Sequence, residues 1–228
     1  MTDMSITPRR AETRQRLMDG AMEVFAERGV LAASVEEICD RAGFTRGAFY
    51  SNFGSKNDLV LAMLEHDRDL SRAAVGQVAG STLVQDVTAH PENLATYIGQ
   101  AVRGILPHSR TGREWIMSVT EVRLYAAREP EIRAAYLAYR RASLADLLAG
   151  LVAIVESGGW EFAMPLDSVA EVVDTMYGSS ILQALLLDPD GTDEERTHEA
   201  LRPFVDLLAA IVRPAAAPQP KELEADVA

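Results

Sequence analysis

The stretch Ser34 to Leu59, SVEEICDRAGFTRGAFYSNFGSKNDL, constrains this chain more than any other segment. Ser34 precedes Glu37 by three residues, the spacing at which a Ser hydroxyl and a Glu carboxylate each satisfy a backbone N–H at a helix start. Val35, Ile38 and Ala42 then recur at helical spacing and form one apolar face. Gly43 follows where a left-handed cap suits a residue without Cβ. Thr45 is the next N-cap, only two residues on. Ser55 caps a third helix, with Asp58 at its N3 position. Two short helices joined by a short Gly-containing turn make a helix-turn-helix. In its second helix Ala48, Phe49 and Phe53 are placed inward, and Thr45, Arg46, Gly47, Tyr50 and Asn52 toward the exposed side.

The rest of the chain reads as helix throughout. Thr7-Pro8 suits an N-cap with Pro at the first helical position. Leu17, Ala21, Val24 and Phe25 continue the stripe until Gly29. The helix from Ser55 carries Leu59, Val60, Met63 and Leu64 past Leu70, and Gly, Ser and Thr over residues 76–90 predict a break. Further helices are expected from Pro91 to Leu106, Trp115 to Arg128, Pro130 to the Gly158-Gly159 pair, Leu166 to Leu187 and Asp193 to Arg213. No strand pattern is visible. The expected fold is all-α with about nine helices. Residues 1–54 form a three-helix head, 55–213 a larger helical bundle and 214–228 a flexible Pro/Ala-rich tail.

The net charge of −12 at first argues against a nucleic-acid partner, but its distribution reverses that. Residues 1–56 hold 8 basic and 8 acidic side chains; the remaining 172 hold 14 and 26. A neutral head leaves Arg9, Arg10, Arg14, Arg46 and Lys56 available for phosphates, while an acidic body repels DNA from the other end. The single cysteine, Cys39, excludes an intrachain disulfide and fits packing in a reducing cytoplasm. No apolar run approaches the ~20 residues of a membrane span.

The run Gly43-Phe44-Thr45-Arg46-Gly47-Ala48-Phe49-Tyr50-Ser51-Asn52-Phe53-Gly54-Ser55-Lys56 resembles the recognition region of TetR-family transcriptional regulators. Arg14 to Gly29 resembles the family's first helix. Asn52 stands where His is frequent in the family. The resemblance implies a regulator, usually a repressor, that binds double-stranded operator DNA. Recognition helices dock with their N-terminal residues toward base edges. Arg46 is then the candidate for guanine O6/N7 or for a phosphate. Thr45 offers a hydroxyl or N–H to phosphate, Gly47 allows close backbone approach, and Tyr50 and Lys56 hold phosphates. Asn52 contacts a phosphate or a base, and Ser34 completes the DNA-facing set.

One head spans few base pairs, so a palindromic site and a homodimer are expected. The resemblance places the dimer contact on residues 166–187 and 193–213. The middle helices are left for a small, largely apolar effector, with Tyr97, Trp115, Met117, Tyr125, Tyr136, Tyr139 and Met176 as candidate contacts. An activator or global regulator without an effector is the alternative. Enzyme motifs are absent from the sequence: there is no G-x-S-x-G, no G-x-x-x-x-G-K-[ST], no G-x-G-x-x-G and no H-E-x-x-H. His66, His90, His108 and His198 lie far apart, so neither metal nor cofactor is expected.

Overall fold

In the computed structural model, residues 7–105, 112–189 and 192–215 are described. Among them the chain forms ten α-helices: α1 Pro8–Arg28, α2 Val35–Ala42, α3 Arg46–Tyr50, α4 Lys56–Ala79, α5 Leu83–Ala89, α6 Leu94–Ile105, α7 Arg113–Arg128, α8 Pro130–Ser157, α9 Leu166–Leu187 and α10 Asp193–Ala210. A 3-10 turn, Pro91–Asn93, leads into α6. The tenth helix is α5. The expected break after α4 is confined to Gly80, Ser81 and Thr82, and Leu83 and Val87 then bury a short helical face. Leu106, Pro107 and His108 lie outside the described residues.

Two expectations are corrected at the far end. Trp160–Phe162 (β1) and Val212–Pro214 (β2) pair antiparallel, with Glu161 opposite Arg213. The last helix therefore stops at Ala210, and Arg213 belongs to a strand rather than to a helix. Its guanidinium donates to Glu161 at 2.8 Å. Pro214 and Ala215 are likewise held, the Ala215 N–H donating to the Gly159 carbonyl at 2.9 Å. The other residues of the expected flexible tail lie outside the described set.

The head closes on Leu17, Phe25, Ile38, Phe49 and Leu59, each without solvent exposure. Val122, Tyr125 and Ala126 of α7 and Ile132 of α8 belong to the same buried cluster. The head core thus continues past residue 54 and is shared with the bundle. Gly20 lets α1 and α2 approach. A Cβ there would stand 3.0 Å from the Ala42 nitrogen and 3.1 Å from its Cβ. A second core, around Ile98, Leu151, Val173, Phe204 and Leu208, joins α5, α6, α8, α9 and α10.

Candidate DNA-binding face and effector cavity

The helix-turn-helix forms as its local chemistry dictates. Ser34 Oγ accepts from the Glu37 N–H at 3.2 Å, and the Ser34 N–H donates to the Glu37 carboxylate at 2.9 Å. These contacts hold the Glu37 carboxyl below the usual carboxylate range, the backbone N–H of Ser34 being the larger cause. Gly43 takes φ 72°, a left-handed cap that any side chain would strain. Thr45 Oγ1 accepts from the Ala48 N–H at 3.2 Å and starts α3.

Fully buried Phe49 and nearly buried Phe53 anchor α3 from inside. The opposite face presents Thr45, Arg46, Gly47 and Tyr50, all exposed. Tyr50 meets Phe49 edge-on at 5.3 Å, and the Arg46 guanidinium lies 6.0 Å from the Tyr50 ring centre. Arg46 forms an ion pair with Glu36, in the first turn of α2. A Cβ at Gly47 would meet only Thr45 Oγ1, at 3.7 Å. Neither a positive φ nor internal crowding therefore requires glycine at this position.

Several expected phosphate ligands are turned inward instead. Lys56 Nζ donates to the Val30, Leu31 and Ala33 carbonyls at 2.6, 3.3 and 2.8 Å. Its three hydrogens are matched by three acceptors, and burial lowers its pKa below the ordinary lysine value. Lys56 thus braces the turn between α1 and α2, with its N–H donors taken up by these carbonyls. Arg14 likewise donates to the Asn52 carbonyl at 2.7 Å and stacks 4.3 Å over Phe53. Asn52 folds its amide onto the Ala48 carbonyl at 2.9 Å, leaving it half-buried behind α3. Ser34 is committed to its cap. Arg9 and Arg10 remain exposed, Arg10 bonding the Ser51 carbonyl at 3.3 Å. Buried Cys39 has its thiol pKa raised by desolvation, the behaviour of a packing residue.

Behind the head, α1, α4, α7, α8 and α9 surround a cavity of about 330 Å³. Trp115, Tyr136 and Tyr139 line it as expected. The other four candidates do not. Tyr97 and Met176 pack against the second core, and Met117 packs beside Ile116 and Ile181. Tyr125 is buried in the head core and donates its hydroxyl to Asn57 at 2.8 Å. In their place stand Met18 and Met22 of α1, Met63 and Asp67 of α4, Arg123 of α7 and Tyr177 of α9. Met18 and Met22 stand four apart and mark a second apolar edge on α1, a signal the single-stripe reading passed over.

Residues 17–63 match the family model of bacterial regulatory proteins, tetR family. The head of the chain, about a fifth of its length, is thus similar to the tetR family. The transcriptional regulator SrpR of Pseudomonas putida is 47% identical over 53 residues, 23% of this chain and 25% of that protein. The chain thus matches about a quarter of that relative's length. The transcriptional repressor AcnR of Corynebacterium diphtheriae is 23% identical over 168 residues, covering 74% of this chain and 78% of AcnR. Among solved structures, the fatty acid degradation regulator FadR of Bacillus halodurans superposes with a TM-score of 0.63 at 16% identity, over 86% of this chain and 93% of that one. The all-α fold is therefore shared along most of the length, whereas close sequence identity is confined to the head. The relatives are named as regulators, in keeping with a chain whose sequence carries no enzyme motif. No helix among the described residues is long and apolar enough to cross a membrane.

Proposed function

We propose that this protein is a cytoplasmic transcriptional repressor that binds a palindromic operator as a homodimer and is released by a small molecule. The observation that carries the DNA reading is the α3 face. Thr45, Arg46, Gly47 and Tyr50 stand exposed on a helix anchored by Phe49 from behind. A glycine inside a helix costs about 1 kcal/mol against alanine. At Gly47 nothing inside the protein requires that cost, whereas backbone approach to a phosphate does.

In this reading residues 1–54 read DNA and 55–213 sense and dimerise. Arg46 reaches a base edge or a phosphate, Thr45 and Tyr50 hold phosphates, and Arg9 and Arg10 extend the cationic rim. Lys56, Ser34 and Asn52 hold the reading surface in shape. Dimerisation through α9 and α10 is supported by Leu166, Leu186 and Leu187 of α9, which remain 48, 74 and 77% exposed. Repression follows the AcnR likeness. Release is supported by the position of the cavity, since α1 of the head forms part of its wall. A ligand that fits only when α1 has shifted against α4 and α7 biases the heads away from operator spacing.

Footprinting of the purified protein on DNA flanking its own gene, at fixed salt, tests the proposal. Two protected half-sites about one helical turn or slightly more apart are expected. Arg46→Ala should weaken that protection by about tenfold or more. Equal protection by wild type and Arg46→Ala would remove α3 as the reading helix. A monomer by light scattering at micromolar concentration would remove the dimer.

A further inference from the structure

We infer that the cavity takes a planar aromatic carboxylic acid, its ring among Trp115, Tyr136 and the methionines and its carboxylate at Arg123. The inference rests on the effector reading above and names the ligand's chemical class.

The charged groups around the cavity differ in what already engages them. Four charged side chains line it: Asp19, Asp67, Arg123 and Arg140. Three are engaged by the protein. Arg140 is ion-paired with Asp174 of α9. Asp67 accepts the Tyr139 hydroxyl. Asp19 accepts the Gln15 amide at 2.8 Å. Among the described residues Arg123 has no carboxylate partner, and it is exposed, at the solvent end of the lining. Its Nη1 lies over Gly178 of α9, 3.7 Å from where a Cβ would stand, so no side chain from that position covers the guanidinium. A guanidinium offers a carboxylate two parallel N–H donors, a match of shape as well as charge.

The apolar walls select the remainder of the molecule. Tyr136 and Tyr139 stand 6.0 Å apart at 46°, and Trp115 lines the same space. Methionine is unbranched and its sulfur favours ring contact, so Met18, Met22 and Met63 adapt to a flat aromatic body. An amphipathic acid then keeps its charge at the wet end and its ring inside.

Calorimetric titration and thermal shift on the full chain separate these classes with three matched probes: 2-naphthoate, 2-naphthamide and 2-naphthylmethylammonium. The acid should bind about tenfold more tightly than the amide. Arg123→Gln should bring acid and amide together while leaving the amide unchanged, and Arg123→Lys should fall between. Trp115→Ala should weaken both. Unperturbed melting of Arg123→Gln without probe excludes misfolding. Equal binding of acid and amide by wild type, tightest binding of the ammonium probe, or no binding at millimolar probe each overturns the inference. Operator footprinting on the same preparation keeps the two readings apart. Protection without naphthoate binding sinks the ligand class alone, whereas absent protection sinks the regulator.

Discussion

Phe25, Phe49 and Leu59 of the head are wholly enclosed, whereas Trp115, Tyr136 and Tyr139 behind it stop half-buried around a cavity of about 330 Å³. The two regions share a seam at α1 and α7, yet they solve different problems. The head is capped by a side chain at the starts of α2, α3 and α4 and filled to its centre, as a surface held at fixed geometry requires. The bundle side of the seam is walled by methionines and rings that can repack, which suits the proposed effector chamber. The pairing implies that equal truncations should have unequal costs. Phe25→Ala removes a fully enclosed ring and is expected to cost about 3–5 kcal/mol. Trp115→Ala only enlarges an existing space and should cost less than about 2 kcal/mol. Urea midpoints of the two variants at unchanged slope make the comparison, and equal losses would mean that the chamber is as closely packed as the head.

A second difference lies in what the cations do. In the head, Arg14 and Lys56 are spent on backbone carbonyls, while Arg46 is left at the surface. Lys56→Met leaves the Val30 and Ala33 carbonyls without their donor, so it should destabilise the fold by about 2 kcal/mol. A phosphate ligand would behave otherwise. Its loss would spare the fold and reduce the slope of log affinity against log salt by about 1. Denaturation and a salt titration on the same variant decide between the two. An unchanged melting curve with a reduced slope would return Lys56 to the DNA.

Ser34→Ala sharpens the same comparison at smaller scale. Loss of the hydroxyl acceptor should cost about 1 kcal/mol. The carboxyl of Glu37 titrates below its ordinary value in the folded chain, so its contribution is present above the unfolded pKa and lost as pH falls through the folded one. Glu27 adds to the same limb, its carboxyl lowered chiefly by the hydrogen bond from Arg41. The gap in melting temperature between wild type and Ser34→Ala should therefore narrow on going from about pH 7 to about pH 3. A gap that stays constant into acid would show that the hydroxyl, not the carboxylate, dominates the cap.

The same division decides what was legible in the sequence. Ser34, Gly43, Thr45 and Ser55 act on residues within four positions of themselves, so spacing alone located α2, α3 and the start of α4. Leu166 and Leu187 bound α9 where its apolar run begins and ends. The pairing of β1 with β2 joins residues about fifty apart, and neither segment alternates on its own, so it exists only through contact. The inward turn of Lys56 was hidden for a related reason. Its acceptors are carbonyls of a turn more than twenty residues away, which composition does not reveal. Among the aromatic candidates, Tyr125 and Tyr97 differ from Tyr136 and Tyr139 only in which neighbours close over them.

The smallest expected effect concerns Glu36, an exposed acid on the reading surface that ion-pairs with Arg46. For Arg46 to reach DNA this pair must open. Exposed ion pairs are worth about 0.2–1 kcal/mol, so opening it costs little, but the bared carboxylate then faces the phosphates. Glu36→Gln removes both penalties and should tighten binding to unrelated duplex by about two- to fivefold. Tightening on the operator itself should be no greater, because base contacts by Arg46 are the same once it is free. The ratio of the two affinities, measured at one salt concentration, would therefore fall or hold. A variant that binds the operator more weakly would reverse the assignment. Glu36 would then accept from a base, as a carboxylate can from cytosine N4, or steer Arg46 into the groove, and specificity on this face would be shared between α2 and α3.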